Sequence, residues 1–127
     1  MTSKLSVDAL EGRTTKGSIV VTGEGTSKTT NLQQGLAKVW IKADHTSTTN
    51  QDSFNVSSIS DTATGKLQIN FNNDFSSAHI SITQANSQEG AVPANPATDG
   101  YEARQIGHDG SYGDSSHVYA TVHGDLA

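Results

Sequence analysis

The chain has no cysteine, which excludes disulfides and thiolate metal sites and removes the usual cue to redox compartment. Large apolar side chains are scarce. Leu, Ile, Val and Phe number 24 of 127, close to the ~20% level below which disorder becomes plausible. Disorder also calls for a high net charge, and the formal charge here is only −5. An ordered chain with so thin a core often completes it against copies of itself, so a homo-oligomer is expected. No apolar run approaches the roughly 20 residues of a membrane-spanning helix. The first residues, MTSKLSVDALEG, lack the apolar centre of a signal peptide. There is no Lys/Arg cluster, and the acidic balance argues against a nucleic-acid partner. The expectation is a soluble protein with neither a membrane nor a nucleic acid as partner.

What is present is hydroxyl and amide. Ser, Thr, Asn and Gln make up roughly a third of the chain, a composition that suits strands and turns better than helices. KLSVD (4–8) alternates polar and apolar, and GSIVVTG (17–23) is a short β-branched run. GEGTSKTT (23–30) has no apolar anchor and reads as a linker. Over TTNLQQGLAKVWIKAD (29–44), Thr30 or Asn31 can cap a short helical turn that ends at Gly35. From Leu36 the period becomes two: Ala37, Val39, Ile41 and Ala43 share one face, and Lys38, Trp40 and Lys42 the other. Residues 36–43 are therefore predicted to be the first strand of the main domain, with 30–35 as its lead-in turn.

DHTSTTNQD then reads as a polar loop. SFNVSSIS (53–60) puts Phe54 and Val56 on one face and shifts register before Ile59, as a bulge does. It forms a predicted hairpin with KLQINFN (66–72) across the turn DTATG. HISIT (79–83) is another strand, residues 86–100 a long Pro-containing loop, and YEARQIG (101–107) and HVYATVHG (117–124) a last pair joined by HDGSYGDSS. The fold class is all-β: a small antiparallel β-sandwich of about six strands over residues 30–127, preceded by an N-terminal docking segment and linker over 1–29.

Motifs for chemistry are weak. SIVVTGEGTSKTTNL resembles a phosphate-binding loop, but Ser27 stands before Lys28 where that loop needs glycine, and no parallel-sheet pattern follows. The histidines His45, His79, His108, His117 and His123 form no His-x-His or His-x₃-His pair and read as surface or interface residues. His117 and His123 share a strand face about 20 Å apart, at ~3.3 Å per residue. Asp109 and Asp114 could ligate calcium, yet Asp-Gly and Tyr-Gly-Asp are ordinary turn chemistry, which is the preferred reading. No nucleophile elbow and no acid/base pair can be picked out. The Asn55-Val56-Ser57 glycosylation pattern lacks a secretory context. No catalytic, cofactor-binding or metal residue is nominated, and no cofactor. Trp40, Tyr101, Tyr112 and Tyr119 are the candidate interface residues, and Phe54, Phe71 and Phe75 the candidate core.

TTNLQQGLAKVWI, DSFNVSSISDTATGKLQINFNNDF and HVYATVHGDLA resemble the short structural proteins and fibre C-terminal modules of tailed bacteriophages, especially those of marine bacteria. The resemblance spans roughly residues 29–127, and KLSVDALEGRTTKGSIVVTG is similar to the repeats that lead into such modules. It implies a virion location, a trimeric assembly role and contacts with capsid or tail proteins, with no active site. Because the chain has almost no shaft, a capsid-decorating or tail-attached accessory protein is the implied form. A glycan-binding host-recognition tip is the alternative, with its aromatics expected beside Asp or Asn on loops 86–100 and 108–116.

Overall fold

The computed structural model describes residues 4–15, 19–22 and 29–127. It falls into two units, residues 1–36 and 37–127. In the first, β1 (Val20–Thr22) pairs antiparallel with β2 (Thr29–Asn31), and a single helical turn α1 (Leu32–Gly35) follows. The Leu32 amide donates to the Ile19 carbonyl at 2.9 Å. No strand forms over 4–8 despite its alternation. Most of the expected linker, residues 23–28 with the Lys28 motif, lies outside the described residues. The expected lead-in turn at 30–35 belongs to this first unit rather than to the main domain, because Thr29–Asn31 pairs back onto β1.

The second unit is a β-sandwich of eight strands: β3 (Val39–Asp44), β4 (Thr49–Phe54), β5 (Val56–Ala63), β6 (Lys66–Phe71), β7 (Ser81–Asn86), β8 (Gly90–Ala94), β9 (Gly100–Ile106) and β10 (Val118–His123). Two four-stranded antiparallel sheets, ordered β4-β3-β10-β7 and β5-β6-β9-β8, pack together. Two strands exceed the expected six. β4 occupies part of the supposed polar loop after Asp44, and β8 part of the supposed Pro-containing loop. Both are edge strands, which tolerate polar side chains and a proline: Pro93 pairs with Ala103 at the sheet margin.

The inner strands β3, β6, β9 and β10 supply the core. Val39, Ile41 and Ala43 face Leu67, Ile69, Phe71, Tyr101 and Ala103 across the sandwich, with Val118, Ala120 and Val122 beside them. Phe75, in the connection after β6, caps the group and meets Phe71 edge-on at 5.3 Å between ring centres. Partly buried Val56, Ile59, Ile80 and Ile82 pack onto it. The expected faces of β3 and β6, and the burial of Phe71 and Phe75, hold.

Three expectations are corrected. Phe54 is not core: it ends β4 opposite Trp40, and both rings point outward. The chain changes sheets at Asn55, whose φ of 59° lies in the left-handed region that asparagine tolerates well. Phe54 and Val56 therefore belong to different sheets, although the expected bulge does occur, between Val56 and Ser58. The Asn55 side chain fixes this corner, donating to the Lys38 and Asn73 carbonyls and accepting from the Asn73 amide at 2.7 Å. Finally, β9 and β10 are not a hairpin, since the segment between them crosses from one sheet to the other.

Candidate functional site

Two places on the sandwich gather chemistry. The first is the outer face of the β4-β3-β10-β7 sheet. Alternation along β3 sends Val39, Ile41 and Ala43 inward and so sends Trp40 and Lys42 outward. Trp40 stands directly across from Phe54 on β4 and from Thr121 on β10, while Tyr119 stands across from Lys42. Trp40, Phe54 and Tyr119 remain 39%, 54% and 43% exposed, unusually high for rings in one neighbourhood. A shallow groove of about 410 Å³ runs along this face, with Trp40 and Tyr119 beside Lys42, Asp52, Gln84 and Thr121. It is open to solvent along its length, and its titratable lining is Lys42, Asp52 and Tyr119.

Of the four candidate interface residues, the structure brings together only Trp40 and Tyr119. Tyr112 is also exposed, but it sits on the β9–β10 crossover with the Lys66 ammonium 5.1 Å from its ring centre. Tyr101 is a correction: it is fully buried on β9, 6.3 Å from Phe71 between ring centres, so it offers no contact surface. Burial pushes its phenol well above the ordinary range, and its hydroxyl finds no hydrogen-bond partner among the described residues. The sequence hid this because Tyr101, Ala103 and Gln105 form the inward face of β9 while the more apolar Ile106 falls on the other. Loop 86–100 carries no aromatic residue, so the arrangement expected of a glycan site on the loops is absent there.

The second place is the end of the sandwich around His45. It continues the inward parity of Val39, Ile41 and Ala43 and is buried, not at the surface as its sequence context suggested. Its amide donates to the Ser115 carbonyl at 2.9 Å, and its carbonyl accepts from Thr48 at 3.0 Å. The ring meets three side chains. Nδ1 lies 3.1 Å from Gln105 Oε1 and 3.7 Å from Asp114 Oδ1, and Nε2 lies 3.2 Å from Asp61 Oδ1. The Asp61 contact is off the line a hydrogen bond needs, so Nε2 has no hydrogen-bond partner among the described residues.

Asp114 is itself anchored, accepting from the Gly65 amide at 2.6 Å. Gly65 turns the β5–β6 hairpin at a φ of 68°, and a Cβ there would sit 2.7 Å from the Gln105 carbonyl oxygen and the Gly113 nitrogen. Asp109, grouped with Asp114 by sequence as a calcium candidate, instead closes its own turn. It accepts from the Ser111 hydroxyl and amide, which hold its carboxyl below the usual range. Spacing gave no sign of the His45 group, whose members come from the β3–β4 turn, β5, β9 and the β9–β10 crossover; the one legible cue was the parity of His45 with β3.

Comparison of the chain with protein-family models, with curated proteins and with solved structures finds no match.

Proposed function

We propose that this protein is a non-catalytic structural component of a phage particle, an oligomeric accessory fibre or decoration protein. Its β-sandwich would assemble through the outer face of the β4-β3-β10-β7 sheet, and its N-terminal segment, residues 1–29, would dock it to capsid or tail proteins. The observation that carries the assembly role is the exposed Trp40–Phe54 cross-strand pair with Tyr119 beside it. Aromatic rings of this kind concentrate at the centres of protein contacts, where burial is worth most. A second copy of the chain is the occupant that also answers the scarcity of core residues, 24 large aliphatic and Phe side chains in 127. The edge strands β4 and β7 flank the same face with unpaired backbone, which a neighbouring copy would cover. The virion location is supported by the sequence resemblance over residues 29–127.

The test is light scattering at micromolar concentration. Three chains per particle are expected for the native protein, falling to one in a Trp40→Ala/Phe54→Ala double variant that keeps its β-sheet circular dichroism. A native monomer, or a trimer indifferent to the double change, refutes the assembly role. Proteomic detection of the chain in purified particles tests the location.

A host-surface glycan is the second reading, favoured by the groove that sets Trp40 and Tyr119 beside Asp52, Thr83 and Thr121. Sugar rings stack on such aromatics while hydroxyls and carboxylates bond their hydroxyl groups. Glycan binding lost in Tyr119→Ala with the oligomer intact would favour it.

A further inference from the structure

We propose that His45, Asp61 and Asp114 form a binding site for a divalent transition ion of the zinc type, which ties together the closed end of the sandwich. The argument starts at the imidazole. Gln105 Oε1 lies 3.1 Å from Nδ1, and in the tautomer that donates Nδ1–H to it the lone pair is on Nε2. That lone pair belongs to a fully buried side chain, has no hydrogen bond, and lies 3.2 Å from a carboxylate oxygen of Asp61. In that tautomer two electron-rich atoms face each other, one of them on a fully buried ring, and a cation between them removes their repulsion.

The geometry admits a metal ion. A shared proton requires the N–H to point along the line to the acceptor, and this contact does not satisfy that. A metal ion sits off the line, at the apex of a triangle. With bonds of about 2.0–2.2 Å to imidazole nitrogen and carboxylate oxygen, two neighbouring ligands of a tetrahedral zinc are about 3.3–3.6 Å apart. The observed separation is 3.2 Å. Asp114 is the third donor. One ligand atom from each of the three residues lies within 4.8 Å of the others; Asp114 Oδ1 stands 3.7 Å from Nδ1, and the half-exposed Asp61 and Asp114 side chains have room to swing toward Nε2.

The surroundings supply the outer support that metal-binding histidines and carboxylates commonly have. Gln105 orients the ring, and the Gly65 amide holds Asp114 from behind. The donor set selects the ion. One imidazole with two carboxylates, and solvent completing the shell, suits zinc and its neighbours. Calcium takes six to eight oxygens and gains little from a nitrogen donor. The ligands come from the β3–β4 turn, β5 and the β9–β10 crossover, so the ion would cross-link segments that the sheet hydrogen bonds leave separate.

The full chain, stripped with a chelator, would be titrated with Zn²⁺ by calorimetry and with Co²⁺ by visible absorption. One equivalent per chain is expected, with a raised thermal midpoint that chelator reverses. Asp61→Asn should weaken Zn²⁺ at least tenfold while leaving the stripped protein's circular dichroism unchanged, and His45→Gln should do the same. A His79→Ala/His117→Ala variant should bind like the native protein. Absence of saturable uptake overturns the proposal. So does binding that survives Asp61→Asn and His45→Gln, or that disappears in the His79→Ala/His117→Ala variant, since either result places the ion at surface histidines.

Discussion

Replacing Tyr101 by Phe is expected to stabilise the protein. Tyr101 is wholly enclosed on β9, opposite Ile69 on β6, and its hydroxyl has no hydrogen-bond partner among the described residues. An unsatisfied buried polar group costs about 1–3 kcal/mol relative to hydration in the unfolded chain. Removing the oxygen eliminates that cost. It forfeits only a few dispersion contacts, at about 0.1–0.2 kcal/mol each, and keeps the ring that meets Phe71. The net gain should be about 1 kcal/mol or more. For a unit of this size that raises the melting temperature by about 4–8 °C per kcal/mol. Urea unfolding should show a higher midpoint at unchanged slope, and calorimetry the matching shift. A loss of stability in Tyr101→Phe would show that the hydroxyl is satisfied in solution and that the packing around β9 differs from that described.

Other perturbations probe the register and the turns. Phe71→Ala should cost about 3–5 kcal/mol, since the ring is buried against both Phe75 and Tyr101. Asn70→Ala, which loses a side-chain donation to Ser58 and an acceptance from Gln68 on the exposed face, should cost about 1 kcal/mol; thermal midpoints in the reverse order would invert the inner face of β6. Gly65→Ala should cost more than about 2 kcal/mol, because it imposes a left-handed φ on a residue with a Cβ and drives that carbon into the Gln105 and Gly113 backbone. The same variant should weaken Zn²⁺ uptake by displacing the amide that holds Asp114; native-like stability would mean the hairpin relaxes without strain.

What the sequence determined by itself is the class of the fold and the inner strands. Period-two alternation along Val39–Ala43 and Leu67–Phe71 sorts buried from exposed side chains without reference to anything distant, because a strand turns each successive residue to the opposite face. Ile82 and Val122 marked β7 and β10 by the same signal. The edge strands escaped for a physical reason. β4 reads TNQDSF and is almost wholly exposed, as a strand paired on one side can be, while β8 reads GAVPA, whose Gly90 and Pro93 break the strand signal.

The tertiary structure alone decided where the chain changes sheets. Asn55 turns Phe54 out and Val56 in, two residues apart, so alternation across it carried the wrong message. It also decided which polar groups meet. Asp61 on β5 and Asp114 on the β9–β10 crossover converge on His45, and the sequence records only that this histidine continues the inward parity of β3. The partner atoms of a buried imidazole are set by how two sheets close over one another, and that closure is long-range: local propensity specifies each strand, while the contacts between sheets exist only once both have formed.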